Sequence, residues 1–438
     1  MKTIPAPARL FIILCILWGC ASSPQSLTTR NIPDSQPVTQ SADVAYTNYW
    51  TAIRHLALER AYLGWPEKDH QQFTRAVELQ IQDETTAAEN IFKELALTAK
   101  DQAVRHHALR IITDIYWSRG DWQAILDLSL DSGNKFRKIA DAFNTMPSVE
   151  YHFGNYPGYL KIARWNRACD CGTPHVKIAI NGRQACLMID TGASVSMISA
   201  SVAERCGIQP ISHHFFRNAG ATGKAFRFRL AVADKIIMSG LTINNKPLFI
   251  VTDEDMARKK WGRTRSRLQG VIGWDILQKM KITVYGKEGL IRIQKAEKEV
   301  STSTLQPFFW LKKPVVKLRS DNGRPLYFMF DSGASKTWLF PPILHKLGIQ
   351  DYRRQKEHIW SFGGRKRVKA QLLPEMTLWL GDQRLEFKNI NTIPLLSGFV
   401  RLDGVLGADL LHKGETTIDP HNGVFEHIPA PKEETAAL

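Results

Sequence analysis

The chain has 438 residues, 44% of them apolar and 23% charged, ordinary proportions for globular protein and enough for two or three domains with a sizeable core. Its net charge of +16 would suit nucleic acid, anionic lipid or an acidic polymer. No nucleic-acid-binding motif accompanies the charge, so it reads as a basic, solvated surface and no nucleic-acid partner is expected.

The N-terminus has the pattern of a targeting segment. Lys2 and Arg9 precede an apolar run at residues 10–17 that is too short for an ordinary transmembrane helix. Leu17-Trp18-Gly19-Cys20 resembles a bacterial lipoprotein processing box. That resemblance implies a signal peptide over residues 1–19, a lipidated Cys20, and a flexible Ser/Thr/Gln/Pro-rich tether over residues 20–44. By resemblance to lipoprotein sorting rules, Ala21 after the cysteine implies the outer membrane, with the rest of the chain facing the periplasm or the exterior; an uncleaved anchor or ordinary signal cleavage are the alternatives. In an oxidising compartment Cys169, Cys171, Cys186 and Cys206 allow three disulfide pairings, and Cys206 is equally readable as a buried thiol. Cys169-Asp170-Cys171 is a poor zinc or redox spacing.

From residue 45 to about 131 the apolar period is helical. Ala88, Ile91, Phe92 and Leu95 share one face, Val104, Ala108, Ile111 and Ile115 another, and Asp101 and Asp121 stand at candidate N-caps. Residues 120–126 resemble half of a tetratricopeptide unit, but no 34-residue period persists. A small α-helical domain over residues 45–150 is expected, to pack on a neighbour or recruit a partner. The aromatic-rich junction that follows, with Tyr151, Phe153, Tyr156 and Tyr159, should pack on something.

The remaining chain says one thing twice. Leu187-Met188-Ile189-Asp190-Thr191-Gly192-Ala193-Ser194 returns as Phe328-Met329-Phe330-Asp331-Ser332-Gly333-Ala334-Ser335. In each, an apolar run that reads as a buried strand delivers a carboxylate to a glycine turn. Asn-Gly-Arg lies nine residues before each Asp, at 181–183 and 322–324, and predicts hairpins: 176–180 with 185–189, and 315–318 with 327–330. Gly-Ile-Gln follows seventeen residues after each Asp, closing a short helix. Glycine-rich tips come next (Gly220 and Gly223; Gly363 and Gly364), then Gly270-Val271-Ile272-Gly273 and Gly404-Val405-Leu406-Gly407. Landmarks that keep order and spacing identify an internal duplication. One break in symmetry is the stretch 258–267, six of whose ten residues are basic; it reads as a solvated loop or as a contact for anionic headgroups or an acidic substrate.

This doubled constellation resembles the aspartic peptidases of the retropepsin and pepsin group over residues 174–428. Ala after each Asp-Thr/Ser-Gly, and two flap-like tips without Tyr, are more similar to retropepsins, here fused in one chain. The resemblance implies a mostly β, bilobed acid protease fold, with lobes at 151–294 and 305–428, a linker at 295–304 and a disordered tail at 429–438. It implies an aspartic endopeptidase using Asp190 and Asp331 on a protein or peptide substrate, monomeric because both halves share a chain. Thr191, Gly192, Ser332 and Gly333 would support the site loops. Gly220, Gly223, Gly363 and Gly364 would form flaps, and Gly273 and Gly407 would let a strand pass closely. Ala193 and Ala334 replace hydroxyls that hydrogen-bond the carboxylates in pepsins, so the pair should titrate higher and work in mildly acid solution. The alternative is a protease-fold lipoprotein that binds peptides without turnover. Other chemistry lacks its residues: there is no His-Glu-x-x-His, no phosphate-binding glycine loop and no Gly-x-Ser-x-Gly, and no cofactor or metal is expected.

Overall fold

The computed structural model describes residues 48–128, 130–165, 172–260, 263–297, 308–310, 313–394 and 398–430. The signal segment, Cys20, all of the tether, Cys169, Cys171, most of the linker and residues 431–438 lie outside them.

Capping residues set the helices. Asn48 accepts from the Thr51 N–H to start Tyr49–Arg54, and Asp101 accepts from the amides of Ala103 and Val104 to start Gln102–Arg119. Gly120, at φ 72°, ends that helix in the left-handed conformation glycine tolerates. Asp121 then caps Trp122–Leu126. Helices Lys68–Ile81, Thr85–Thr98 and Gln102–Arg119 pack in succession around Phe73, Ala88, Phe92 and Ile111. Helical structure goes further than the apolar period suggests. Asn134 caps one more helix, Lys135–Asn144, which buries Ile139, Ala140 and Phe143.

Both lobes then repeat one plan. In the first, Pro174–Ile180 pairs antiparallel with Arg183–Ile189, with Ile178 opposite Ala185. Asn181 and Gly182 both have positive φ, which suits the turn of a tight hairpin. In the second, Lys313–Ser320 pairs with Pro325–Phe330, with Val316 opposite Phe328. Each aspartate strand is held on its other edge by a parallel partner: Gly270–Ile272 in lobe one, Gly404–Leu406 in lobe two. These partners pair in turn with the short strands Met197–Ser199 and Trp338–Leu339. Long hairpins follow, Phe216–Ala219 with Ala225–Met238 and Arg353–Ser361 with Gly364–Leu380. The basic stretch is itself a small hairpin, Ala257–Lys260 with Arg263–Arg267.

The lobes also share backbone. Gly414–Asp419, from the end of the chain, pairs with Lys281–Tyr285 of lobe one, and Val424–Pro429 pairs with Gly414–Asp419. Lobe two thus ends, as a sheet unit, before the residue 428 that the repeat suggests. Its last hairpin completes a sheet that runs through Leu290–Gln294 into Gly158–Trp165.

The helical domain seats on both lobes. Trp117 and Phe143 lie 6.1 and 6.5 Å from Phe249 of lobe one. Phe399 of lobe two sits among Trp50, Phe73 and His107, and the Arg401 N–H donates to the Arg54 carbonyl at 2.6 Å. Burial of each such aromatic is worth about 1.5–3 kcal/mol, so the three parts form one packed body. The whole is a mostly β, bilobed acid protease fold preceded by an α-helical region.

Candidate active site

Each aspartate stands where its strand runs out. The Asp190 N–H donates to the Ile272 carbonyl at 3.0 Å and the Asp331 N–H to Leu406 at 2.9 Å, so the parallel strand fixes both backbones. The next residue locks one lobe to the other. Thr191 Oγ1 donates to the Phe330 carbonyl (2.9 Å) and accepts from the Ser332 N–H (3.0 Å). Ser332 Oγ donates to the Ile189 carbonyl (2.8 Å) and accepts from the Thr191 N–H (3.0 Å). Hydroxyl residues are needed here because each must donate and accept at once.

Gly192 and Gly333 let the carboxyl groups meet. A Cβ on Gly192 would fall 2.5 Å from Cγ of Asp331, and one on Gly333 would fall 2.5 Å from Cγ of Asp190. The inner carboxyl oxygens are satisfied by backbone: Asp190 Oδ1 accepts from Gly192 (2.9 Å) and Ala193 (3.0 Å), and Asp331 Oδ1 from Gly333 (2.9 Å). The outer oxygens, Oδ2 of both residues, are buried without a protein donor. Both side chains are 0% exposed.

Two carboxylates in that setting cannot both ionise comfortably. Burial pushes Asp190 well above the ordinary carboxylate range, and the neighbouring Asp331 charge pushes it further. Burial also raises Asp331, to about 6, against the pull of Lys313 and of the hydrogen bond from Asp190. One proton shared by the pair relieves the repulsion between the two charges. The titration belongs to the pair.

The glycine-rich tips meet above this arrangement. The Thr222 N–H donates to Ser361 Oγ at 3.1 Å, and the two hydroxyls lie 2.9 Å apart. A Cβ on Gly220 would strike Ser361 Oγ at 2.5 Å, and one on Gly363 (φ 80°) the Ala225 carbonyl at 2.6 Å. Gly223 and Gly364 also take positive φ, which supports tight tips. Ala221 packs across into lobe two, against a cluster containing Met329, Ala334, Trp338 and Val405. Phe362 is buried 5.6 Å from Phe226 of the other hairpin. The sequence gives the glycines but does not mark Phe362 as a tip anchor.

A family model described as gag-polyprotein putative aspartyl protease matches residues 176–279, and one described as aspartyl protease matches residues 316–410. Each match takes in one aspartate and its parallel partner strand. The two lobes are retropepsin-like aspartyl protease domains in tandem. No curated protein matches the chain.

Further features of the protease lobes repeat in pairs. A Cβ on Gly273 would lie 2.6 Å from the Val195 backbone, and one on Gly407 would lie 2.3 Å from that of Lys336, so each glycine admits its strand to the aspartate loop. Ser196 Oγ accepts from the Gly273 N–H at 3.0 Å and donates to Asp275 at 2.8 Å; Thr337 Oγ1 does the same with Gly407 and Asp409 at the same distances. These two acids stand at matching places in the sequence repeat, a signal that marks them as braces for the loops.

One feature is not paired. Eighteen residues before the aspartates stand Gly172 in lobe one and Lys313 in lobe two. Lys313 Nζ donates to the Gly192 carbonyl at 2.5 Å, and its charge lowers both carboxyls. Replacing it with Met should raise both titrations. If the pair is catalytic, the acid limb of the pH–rate profile should move to higher pH; an unmoved or lowered limb would refute the assignment. A cavity of about 480 Å³ also lies between the helical domain and lobe one, beside Trp117, Phe143 and the buried ion pair Lys246–Asp275 (2.8 Å), and neither aspartate lines it.

Proposed function

We propose that the chain is an aspartic peptidase, hydrolysing peptide bonds with a water held between Asp190 and Asp331. The observation that carries this reading is the buried pair with one unpartnered oxygen on each carboxyl. Ionised Asp331 takes a proton from the water as it attacks the peptide carbonyl. Protonated Asp190 hydrogen-bonds the carbonyl oxygen, and the proton gained by the pair leaves on the amine. The hairpin tips act as flaps: they must part to admit a chain, and closing them excludes bulk water from the reaction. Both halves of the pair lie in one chain, which supports activity as a monomer on a protein or peptide substrate.

The pH dependence follows from the sign of the shifts. Activity needs Asp331 ionised, so it should rise with pH through about 6 and last until Asp190 loses its proton. Cleavage of an unfolded protein mixture by residues 21–438, measured from about pH 3.5 to 8.5, tests this, since dyads of this kind titrate within or below that range. A maximum below about pH 3, where pepsin-like pairs work, would contradict it. No cleavage at any pH by folded protein would favour peptide binding without turnover.

We further propose that Cys20 is lipidated and tethers the peptidase to a bacterial envelope, on the periplasmic side of the outer membrane. The processing-box pattern supports this, and among the described residues no helix is long and apolar enough to cross a membrane. Cys20→Ser should then move the protein from the membrane to the soluble fraction.

A further inference from the structure

The pseudo-symmetry gives each aspartate the same apolar flank, and the two flanks are covered differently. In lobe one the flank is Met188, Ala193, Met197 and Val271; in lobe two the sheet register puts Met329, Ala334, Trp338 and Val405 in the same places. The lobe-two flank is closed by a flap tip, through Ala221. The lobe-one flank belongs to one continuous apolar cluster with Phe362 of the other tip and, in addition, with the helical domain.

The contacts locate the cover. Phe249, opposite Met197 in the sheet, lies against Trp117 and Phe143. One turn before Trp117 on helix Gln102–Arg119, Asp114 is within charge range of Lys313, whose amine holds the carbonyl of Gly192. The same domain grips lobe two at Phe399, five residues before strand Gly404–Leu406. Lobe one's counterpart of that segment goes elsewhere, toward the second flap, where Gly363 N–H donates to the Asp255 carbonyl at 3.2 Å. The helical domain therefore bridges the lobes, and its apolar cluster runs on to the flank of Asp190.

An extended peptide lying across the pair must leave on both sides. Strand residues advance about 3.3 Å each, and a helix with its side chains is about 10 Å thick, so a docked helix takes the room of about three substrate residues. The interface is not built to detach. Phe73, Trp117, Phe143, Phe249 and Phe399 are all at most 4% exposed, the apolar character of permanent rather than transient contacts.

We infer that the helical domain is a fixed wall across one arm of the substrate channel, so that the chain takes a polypeptide by one end and removes a short terminal piece. This rests on the peptidase reading. Specificity would then be for a free chain end before any side chain.

The test uses residues 21–438 and a set of peptides of one sequence: linear, N-acetylated, C-amidated and head-to-tail cyclised, with cut positions read by mass spectrometry. The expected result is cleavage within about three residues of one terminus, with the cyclic form left uncut. A Phe399→Ala variant, which loosens the wall, should gain internal cuts. Internal cleavage of linear and cyclic peptides alike by the unaltered protein, abolished by Asp190→Asn, would overturn the wall and keep the peptidase. Silence from the unaltered protein with cleavage by Phe399→Ala would make the domain a removable plug and overturn the wall. Silence from both would sink the peptidase reading, and this inference with it.

Discussion

Asp190→Asn and Asp331→Asn are each expected to lower kcat by roughly 10⁴- to 10⁶-fold, the scale seen when a member of a catalytic unit is lost. An amide can neither take the proton from water nor hand one to the leaving amine. The same substitutions should stabilise the fold at neutral pH. Asp331 titrates near 6 when folded against 3.8 ordinarily, so the folded state is penalised as pH rises from the lower value to the higher. At pH 7 nearly the full penalty applies, on the order of 3 kcal/mol, and below the lower value it vanishes. Thermal melts of Asp331→Asn should therefore lie above the unaltered protein at pH 7 and converge with it near pH 3. Lost activity with a lowered melting point at pH 7 would mean that the carboxylate is structural.

Gly192→Ala should be nearly as damaging to activity and, unlike the Asn variants, should destabilise. Its methyl group would sit 2.5 Å from Cγ of Asp331, where carbon atoms need about 3.5–4 Å. That carboxyl cannot swing aside, because the Gly333 amide holds its inner oxygen. The lobes must separate by about 1 Å, straining the Thr191 and Ser332 bonds between them; a misplacement of that size costs about 10²-fold in rate. Gly333→Ala should behave alike by pseudo-symmetry, and the double variant should cost less than the sum, since either clash alone already forces the lobes apart. Parallel kcat and melting-point measurements check this. An Ala variant with unaltered kcat would show that the carboxyl groups do not need this approach.

The pair was legible in the sequence because duplication wrote its logic twice. A strand ending in Asp, a hydroxyl, a glycine and a later parallel strand each need one residue type, and two copies at equal spacing remove chance. The flap tips were legible for the same reason, as glycines at equal offsets. What stayed hidden is whatever is not duplicated. Lys313 is one lysine among many, and only the folded chain puts it on the Gly192 carbonyl. Phe399 reads as an ordinary apolar residue, because burial by a neighbouring domain leaves the same pattern as burial in one's own core. Helix Lys135–Asn144 lies past the stretch where the apolar period is clear, although Asn134 and the spacing of Ile139, Ala140 and Phe143 announce it. The final hairpin, Gly414–Pro429, looks like part of lobe two by sequence distance, while its strand partners lie in lobe one.

That hairpin has a consequence for the life of the molecule. Thr283 finds its strand partner Thr417 only after more than a hundred further residues have been made, and contacts so distant in sequence make folding slow. As the chain emerges from its N-terminus, Asp190 is made long before Asp331, and the sheet that ties the lobes closes last. A nascent chain that stops short of residue 331 therefore carries only half of the site. Birth order alone keeps the pair apart until residue 331 has been made.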